Sequence, residues 1–214
     1  MLQADILNKF IDRIGGDVLT SSDDNRRKVL AYFDEAIEDV RVAHNWNVLI
    51  RTPQTLVAAG SDRLIKPPDY SHMYSTGFFF VNTKNYVSFM TPDEVLRRRI
   101  LGITSPYLSG AWEEGNYFRF SAVLNEGENC LYAYISNNVY DDDGHLLLDV
   151  ELVLRRMKEI YSTDLGIAYD QNSYASYLQK MKDLNQPMVN LSVSQGGYPS
   201  EAYDLNVNIA SQLK

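Results

Sequence analysis

A run of acidic residues, followed by glycine and histidine, is the part of this sequence best suited to binding a metal ion. The run is Asp141-Asp142-Asp143-Gly144-His145. Carboxylate oxygens are preferred ligands of calcium and magnesium, and a glycine permits a tight loop. The spacing is not that of an EF-hand, because no glutamate stands at the twelfth position. Acidic residues before a glycine are also typical of turns and helix N-termini, and this interpretation is favoured over a metal site.

Patterns for catalysis or cofactor binding are weak in the rest of the chain. His44, His72 and His145 include no pair at metal-ligand spacing. The sequence has no Gly-x-Ser-x-Gly elbow, no phosphate-binding glycine loop and no dinucleotide fingerprint. The lone cysteine, Cys130, cannot form an internal disulfide and is interpreted as a buried side chain of a strand. The sequence therefore predicts a protein that is not an enzyme and holds no cofactor.

Composition and charge indicate a globular protein with an acidic surface. Hydrophobic residues make up 45% of the 214 residues, which is enough for a core, and the formal net charge is -8. This charge argues against wrapping DNA or docking on an anionic membrane. The basic run Arg97-Arg98-Arg99 cannot form one flat patch, because successive residues of a helix point about 100° apart. It indicates a solvated helix face or ion pairs with a neighbouring acidic subunit.

Residues 1–50 are predicted to form two helices. Apolar residues recur at helical spacing from Leu2 to Ile14, and a second helix begins at a capping cluster around Asp23. The apolar stripe of the second helix consists of Val29 or Leu30, Phe33, Ile37, Val40 and His44. We expect Trp46, near the end of this helix, to fill the junction with the following segment.

Residues 141–185 are predicted to form two further helices. The first should present one apolar stripe, formed by Leu147, Val150, Leu154, Met157 and Tyr161. The second should extend from about 172 to 184 and end before Gln186-Pro187. Together with residues 1–50, these helices should form an antiparallel bundle.

Residues 51–140 have the character of an antiparallel β-rich insert. Short aromatic and β-branched runs separated by Gly, Pro and Asn predict strands, and 91–101 should be a short helix with Thr91 as its N-cap. Val95, Leu96 and Ile100 should form its buried side. Two further strands, at 117–123 and 131–135, are predicted to pair as a hairpin. The fold class expected is therefore α+β, with the helical bundle interrupted by this small β-domain.

Residues 186–214 are predicted to form an extended C-terminal tail. The segment is rich in Asn, Ser, Gln and Gly, and its acidic residues Glu201 and Asp204 are nearly balanced by Lys214. Its spaced apolar residues suit docking into grooves of a partner, for example as an added strand. These residues are Met188, Val189, Leu191, Val193, Tyr198, Tyr203, Leu205, Val207, Ile209 and Leu213.

The segment from 36 to 70 carries an order of features found in a known protein family. An amphipathic helix leads into His44-Asn45-Trp46-Asn47-Val48-Leu49, and a β-segment then reads Leu64-Ile65-Lys66-Pro67-Pro68-Asp69-Tyr70. This order resembles that of the head-to-tail connector (portal adaptor) proteins of tailed bacteriophages. Lys66 stands where an apolar residue is expected. The matching residues are Trp46, Leu64, Pro67, Pro68, Asp69 and Tyr70.

The resemblance implies a structural protein of the virion neck, assembled in the host bacterial cytoplasm. Members of the family form homo-oligomeric rings, commonly of twelve copies, beneath the portal protein. Their helices surround a channel through which double-stranded DNA passes without sequence-specific binding, and no membrane is involved. The C-terminal tail clamps the portal, and the β-insert faces the tail nozzle or fibre proteins. The acidic helices at 22–46 and 146–164 are both candidates for lining the channel.

Two other classes of function stay open on the residues alone. One is a ligand-binding or assembly module that uses the β-insert, and the other is a hydrolase whose site no motif reveals. The tail favours an assembly protein, since an enzyme has little use for a long extension with spaced apolar residues.

Overall fold

The structure, a computed structural model, describes residues 1–14, 23–103, 107–166 and 171–185. The described residues combine helices with antiparallel sheets, so the predicted mixed α+β class is confirmed. The helices are α1 (Gln3–Ile14), α2 (Asp23–Val42), α3 (Pro92–Ile100), α4 (Val150–Asp164) and α5 (Gln171–Leu184). Among these residues, no helix is both long enough and apolar enough to span a membrane.

The strands are short and form three antiparallel sheets among the described residues. The first sheet has the order β1 (Ile50–Arg51), β10 (Tyr134–Ser136), β4 (Tyr70–Met73). The second has the order β2 (Gln54–Val57), β9 (Glu128–Leu131), β5 (Gly77–Phe80), β6 (Asn85–Ser88). The third has the order β3 (Arg63–Ile65), β8 (Tyr117–Phe120), β7 (Ala111–Glu114).

The first hydrophobic core lies between α1, α2 and α4. Helix α2 contributes Val29, Phe33, Ile37 and Val40, as its apolar spacing predicts, while Leu30 is exposed. Asp149 is the N-cap of α4, and its side chain accepts a hydrogen bond from Leu152 N at 2.8 Å. Leu147 therefore precedes the helix and does not belong to its apolar stripe. The buried residues of α4 include Leu152, Val153, Leu154 and Met157.

The second core lies among the strands and is mainly aromatic. The ring of Phe78 lies 5.2 Å from those of Phe118 and Phe120 and 5.1 Å from that of Tyr132. Edge-to-face pairs at this spacing add stability beyond the area that they bury. Strand β10 joins the cores, because Tyr134 belongs to the aromatic core and the next residue, Ile135, to the helical one. Successive side chains of a strand point to opposite faces, so one short strand serves both.

The predicted hairpin between 117–123 and 131–135 is wrong. Strand β8 pairs with β3 and β7, whereas β9 pairs with β2 and β5. The second predicted strand is also divided, since β9 ends at Leu131 and β10 begins at Tyr134. A loop that looks like a turn does not force its flanking strands together when each has longer-range partners.

Helix α3 begins as predicted but has no buried side. Its N-terminus has a full capping box, in which the Thr91 hydroxyl accepts from Glu94 N and the Glu94 carboxylate accepts from Thr91 N. Contrary to the prediction, Leu96 and Ile100 are exposed and Val95 is only half-buried. Capping depends on neighbouring residues alone, but burial needs a second element, and none of the described elements covers this face.

Candidate interaction surfaces

Trp46 closes the end of α2 and lies in the helical core. Its indole Nε1–H donates to the carbonyl oxygen of Val40 at 2.6 Å, and the His44 ring packs edge-on against it at 5.2 Å. Asn185, just after α5, adds a further connection because its side-chain oxygen accepts from Asn47 N at 3.2 Å. The segment after α2 and the residue after α5 therefore meet beside this tryptophan.

The segment from Leu64 to Tyr70 belongs instead to the aromatic core. Leu64 is buried on β3, and a turn follows in which Tyr70 N donates to the carbonyl oxygen of Pro67 at 3.1 Å. Pro68 lies exposed on this turn. The turn places Asp69 beside β10, because strand β4, which begins at the next residue, pairs with β10.

Asp69 connects the turn to β10. Its carboxylate accepts from the Tyr134 hydroxyl at 2.7 Å and from the Ser136 hydroxyl at 2.6 Å, and its carbonyl oxygen accepts from Asn137 N at 2.6 Å. Partial burial alone would raise the pKa of Asp69, but the hydrogen bonds from Ser136 and Tyr134 outweigh it and leave that pKa below its ordinary value. The side chain is therefore held as a carboxylate that fixes the turn.

Lys66 and Tyr70 share one acidic partner, Glu113 on β7. Lys66 Nζ lies 2.6 Å from Glu113 Oε2, and the Tyr70 hydroxyl donates to the other carboxylate oxygen. Lys66 Nζ also lies 5.0 Å from the centre of the Tyr70 ring and 5.5 Å from that of Phe118. Burial, and then Glu113, raise the pKa of Tyr70 well above its ordinary value. A lysine at the position where an apolar residue was expected is thus accommodated by aromatic faces and one carboxylate.

The six residues of the family-like junction therefore lie in two places rather than in one site. Trp46 fills the helical core, whereas Leu64 lies in the aromatic core. Polar contacts connect the two regions, since Arg41 of α2 donates to the Asn137 side chain at 2.9 Å and His72 of β4 lies 3.1 Å from Asn45 Oδ1. These contacts hold the end of α2 against the first sheet, so their role is structural.

The acidic run forms a tight loop before α4. Asp141 Oδ1 accepts from His145 N at 2.7 Å and from Asp143 N at 3.1 Å, and Gly144 adopts the left-handed conformation with φ of 78°. Oxygen or nitrogen atoms of Asp141, Asp143 and His145 lie within 4.8 Å of one another, so they could share a cation. The hydrogen bonds agree with the favoured interpretation of a turn, because they use Asp141 to close the loop.

A surface on α3 has the strongest interaction character and was missed in the sequence. Leu96, Ile100 and Leu101 have exposed fractions of 56%, 73% and 63% and line a shallow groove together with Asp93 and Arg97. Exposed apolar residues gathered on one element mark a contact surface. Their spacing was visible, but spacing cannot tell whether the partner of an apolar helix face lies in the same chain. The predicted docking tail, from Met188 to Leu213, lies outside the described residues.

No protein-family model matches the chain, and a comparison with curated protein sequences finds no significant match.

Proposed function

We propose that this chain is a head-to-tail adaptor of a tailed bacteriophage virion, which forms a ring beneath the portal and extends the DNA channel. In this proposal α1, α2, α4 and α5 are the antiparallel bundle, residues 51–140 are the β-rich insert, and residues 186–214 are the extended docking tail. The order of features from 36 to 70 supports the family, and the observations below support a role in assembly.

The observation that carries the proposal is the exposed apolar surface on α3. Leu96, Ile100 and Leu101 would remain in water if the chain acted as a monomer. Burying such side chains in an interface releases about 1.5–3 kcal/mol for each one that becomes fully buried. A protein whose function is to join copies of itself and other proteins has a reason to keep these residues exposed.

The charge of the chain supports a DNA conduit. Its net charge of -8 repels phosphate, so DNA can slide past without being bound. The outer face of α2 carries exposed Asp34, Glu35 and Glu38, which gives this helix the acidic surface that a channel wall would need. Whether α2 or α4 faces the channel is part of the test.

The test is electron microscopy of the full chain mixed with the portal ring of the same virus. We expect a second ring, coaxial with the portal, and a matching increase in mass by light scattering. A chain that stays monomeric and leaves the portal ring bare would refute the proposal.

The tail has its own test. Val207→Asp together with Ile209→Asp should abolish attachment to the portal ring, because charged residues cannot dock in apolar grooves. Asn206→Asp together with Asn208→Asp is the matched control, since it adds the same charge at neighbouring polar positions and should leave attachment nearly unchanged. If the two double variants attached to the portal ring equally well, the proposal that the tail docks on the portal would be refuted.

A further inference from the structure

The C-terminal tail contains two runs in which apolar and polar residues alternate strictly. The first run is Val189-Asn190-Leu191-Ser192-Val193-Ser194, and the second run is Tyr203-Asp204-Leu205-Asn206-Val207-Asn208-Ile209. Two glycines and a proline lie between the runs and separate them. Successive side chains of a strand point to opposite faces, so each run would place its apolar residues on one face of a strand. The pattern is typical of segments that can be added to the edge of a sheet.

Strand β2 offers an unpaired edge to such a segment. In the second sheet, the carbonyl oxygen of Asn129 accepts from Val81 N at 2.9 Å, so the backbone groups of Asn129 point away from β2. Leu56 is the partner of Asn129 in β2, and residues opposite each other in such a pair both direct their backbone groups outward. The same holds for Gln54, two residues earlier. Among the described residues, no backbone group of another element bonds to the outward groups of Gln54 and Leu56.

The edges of β3 and β7 are already occupied. The Ser61 hydroxyl oxygen lies 3.1 Å from Arg63 N and 3.0 Å from Arg63 O, so it caps the outer side of β3. Ala111 of β7 forms a bridge with Phe89, and its carbonyl oxygen accepts from Met90 N at 2.8 Å. Strand β2 also lacks the charged side chains that commonly protect an edge from further pairing.

The tail begins close to the edge of β2. Asn185, the last described residue, lies beside Asn47, because its side-chain oxygen accepts from Asn47 N at 3.2 Å. Gln54 follows Asn47 by seven residues, of which the first three form a compact 3-10 turn, so the two residues lie at most about 20 Å apart. Leu191 follows Asn185 by six residues, which span about 20 Å when extended. The first run is therefore within reach of β2 in its own copy.

We propose that the first run pairs with the outer edge of β2 in the same copy and becomes a fifth strand of the second sheet. The added strand is parallel to β2, because both segments lead away from the junction of Asn47 and Asn185. Mixed sheets with one edge strand of different direction are common. The pairing supplies hydrogen-bond partners for the outward backbone groups of Gln54 and Leu56.

The side chains determine which face of the added strand is apolar. Leu56 is 60% exposed on one face of β2, whereas Val57 is already fully buried on the other. Apolar residues of the added strand therefore gain most by lying on the face of Leu56, where they remove its side chain from water. The three residues that share this face are Val189, Leu191 and Val193.

The pairing gives the two runs of the tail different roles. The first run fixes the tail to the body of its own copy, and the second run stays available for the portal. The contact lies within one copy, so it does not depend on the adaptor role. It adds to that role by placing the start of the portal-docking segment at the edge of β2 instead of at the end of α5.

Amide hydrogen exchange of the full chain, followed by NMR for each residue, tests the pairing. The Leu56 amide should exchange at least about tenfold more slowly in the wild-type chain than in the double variant Leu191→Asp with Val193→Asp. The reason is that charged side chains on the apolar face displace the added strand and leave the Leu56 N–H in water. The Thr55 amide is the internal reference, because Thr55 pairs with β9 and should exchange slowly in both chains.

The chain offers two matched controls. Asn190→Asp with Ser192→Asp adds the same charge to the other face of the first run and should keep the slow exchange of Leu56. Val207→Asp with Ile209→Asp alters the second run and should also keep it, although this variant should lose attachment to the portal ring.

Several outcomes would overturn the pairing. One is a Leu56 amide that exchanges at the same rate in the wild-type chain and in Leu191→Asp with Val193→Asp. Another is fast exchange in Val207→Asp with Ile209→Asp, which would assign the edge of β2 to the second run. A third is protection of Leu56 that increases with the concentration of the chain, which would assign the edge to the tail of a second copy. None of them removes the adaptor role, because attachment of the wild-type chain to the portal ring is measured separately.

Discussion

Replacing Asp69 with alanine should destabilise the fold far more than the position of this residue on a half-exposed turn suggests. The carboxylate receives hydrogen bonds from Tyr134 at 2.7 Å and from Ser136 at 2.6 Å. Tyr134 and Ser136 are buried, with exposed fractions of 5% and 0%. The alanine variant leaves the Tyr134 hydroxyl without its acceptor and leaves the Ser136 hydroxyl only the carbonyl oxygen of Asn138, at 3.5 Å.

The expected magnitude follows from these two bonds. A hydrogen bond to a charged group contributes about 1.5–3 kcal/mol, and the partial exposure of Asp69 favours the lower part of that range. The free energy of unfolding of Asp69→Ala should therefore fall by about 3–4 kcal/mol. For a chain of this size, that corresponds to a decrease in Tm of about 6–16 °C. Asp69→Asn keeps one acceptor oxygen and should cost only about 1–2 kcal/mol.

Urea unfolding followed by tryptophan fluorescence is the assay. Asp142→Ala is the control, because it removes an exposed carboxylate and should change stability by less than about 0.5 kcal/mol. If Asp69→Ala lost less than about 1 kcal/mol, the two hydroxyl groups would have found other acceptors, and the argument that Asp69 fixes the turn would be refuted.

The same carboxylate predicts a dependence on pH. Since the folded state lowers the pKa of Asp69, its stabilising effect is complete above the unfolded-state pKa of about 3.9. The effect is lost as the pH falls through the lower pKa of the folded state. The difference in stability between the wild-type chain and Asp69→Asn should thus be constant above about pH 5 and shrink below about pH 4. A difference that grew on acidification would contradict the direction of the pKa shift.

Three further predictions concern buried groups. Trp46→Phe should reduce the free energy of unfolding by about 1–2 kcal/mol in urea titrations, because the 2.6 Å bond to Val40 O is lost; an unchanged value would contradict this. Glu128→Ala should lower Tm by several degrees, because buried Glu128 Oε1 accepts from Thr83 N at 2.6 Å and from the Thr83 hydroxyl at 2.9 Å and alanine offers no acceptor; an unchanged Tm would contradict that role. Burial raises the pKa of Cys130 to about 12, so a thiol reagent at pH 8 should label the native chain only as fast as it unfolds.

Helix positions and the capped start of α3 could be read from the sequence because their signals are local. The capping box at Thr91 and Glu94 uses residues three apart, and the stripe from Val29 to Val40 lies on one helix. Hydrogen bonds within a helix join residues four apart, so the residues that determine a helix lie close together in the sequence. The strand at 117–120 also falls within the predicted range 117–123, since aromatic and β-branched runs between turn residues are local as well.

Strand partners were decided by the tertiary structure. The hairpin prediction failed because backbone hydrogen bonds are interchangeable: β8 pairs with β3 and β7 instead, and in that position Phe118 and Phe120 are buried in the aromatic core. The same holds for Asp69, whose sequence neighbours do not reveal that Tyr134 and Ser136 lie beside it. Pairing over such distances depends on how the whole aromatic core fills.

By itself, the sequence determined the mixed helix and strand content, the approximate positions of the helices and the acidic charge, since each depends on composition or on residues a few positions apart. The tertiary structure alone decided which surfaces stay in contact with water. Helix α3 has apolar residues at helical spacing, yet Leu96 and Ile100 lie exposed, because no described element packs on that side. Burial of an apolar helix face requires a second element that packs on it as well as apolar residues at helical spacing. Only the folded chain shows which apolar faces are covered by such an element.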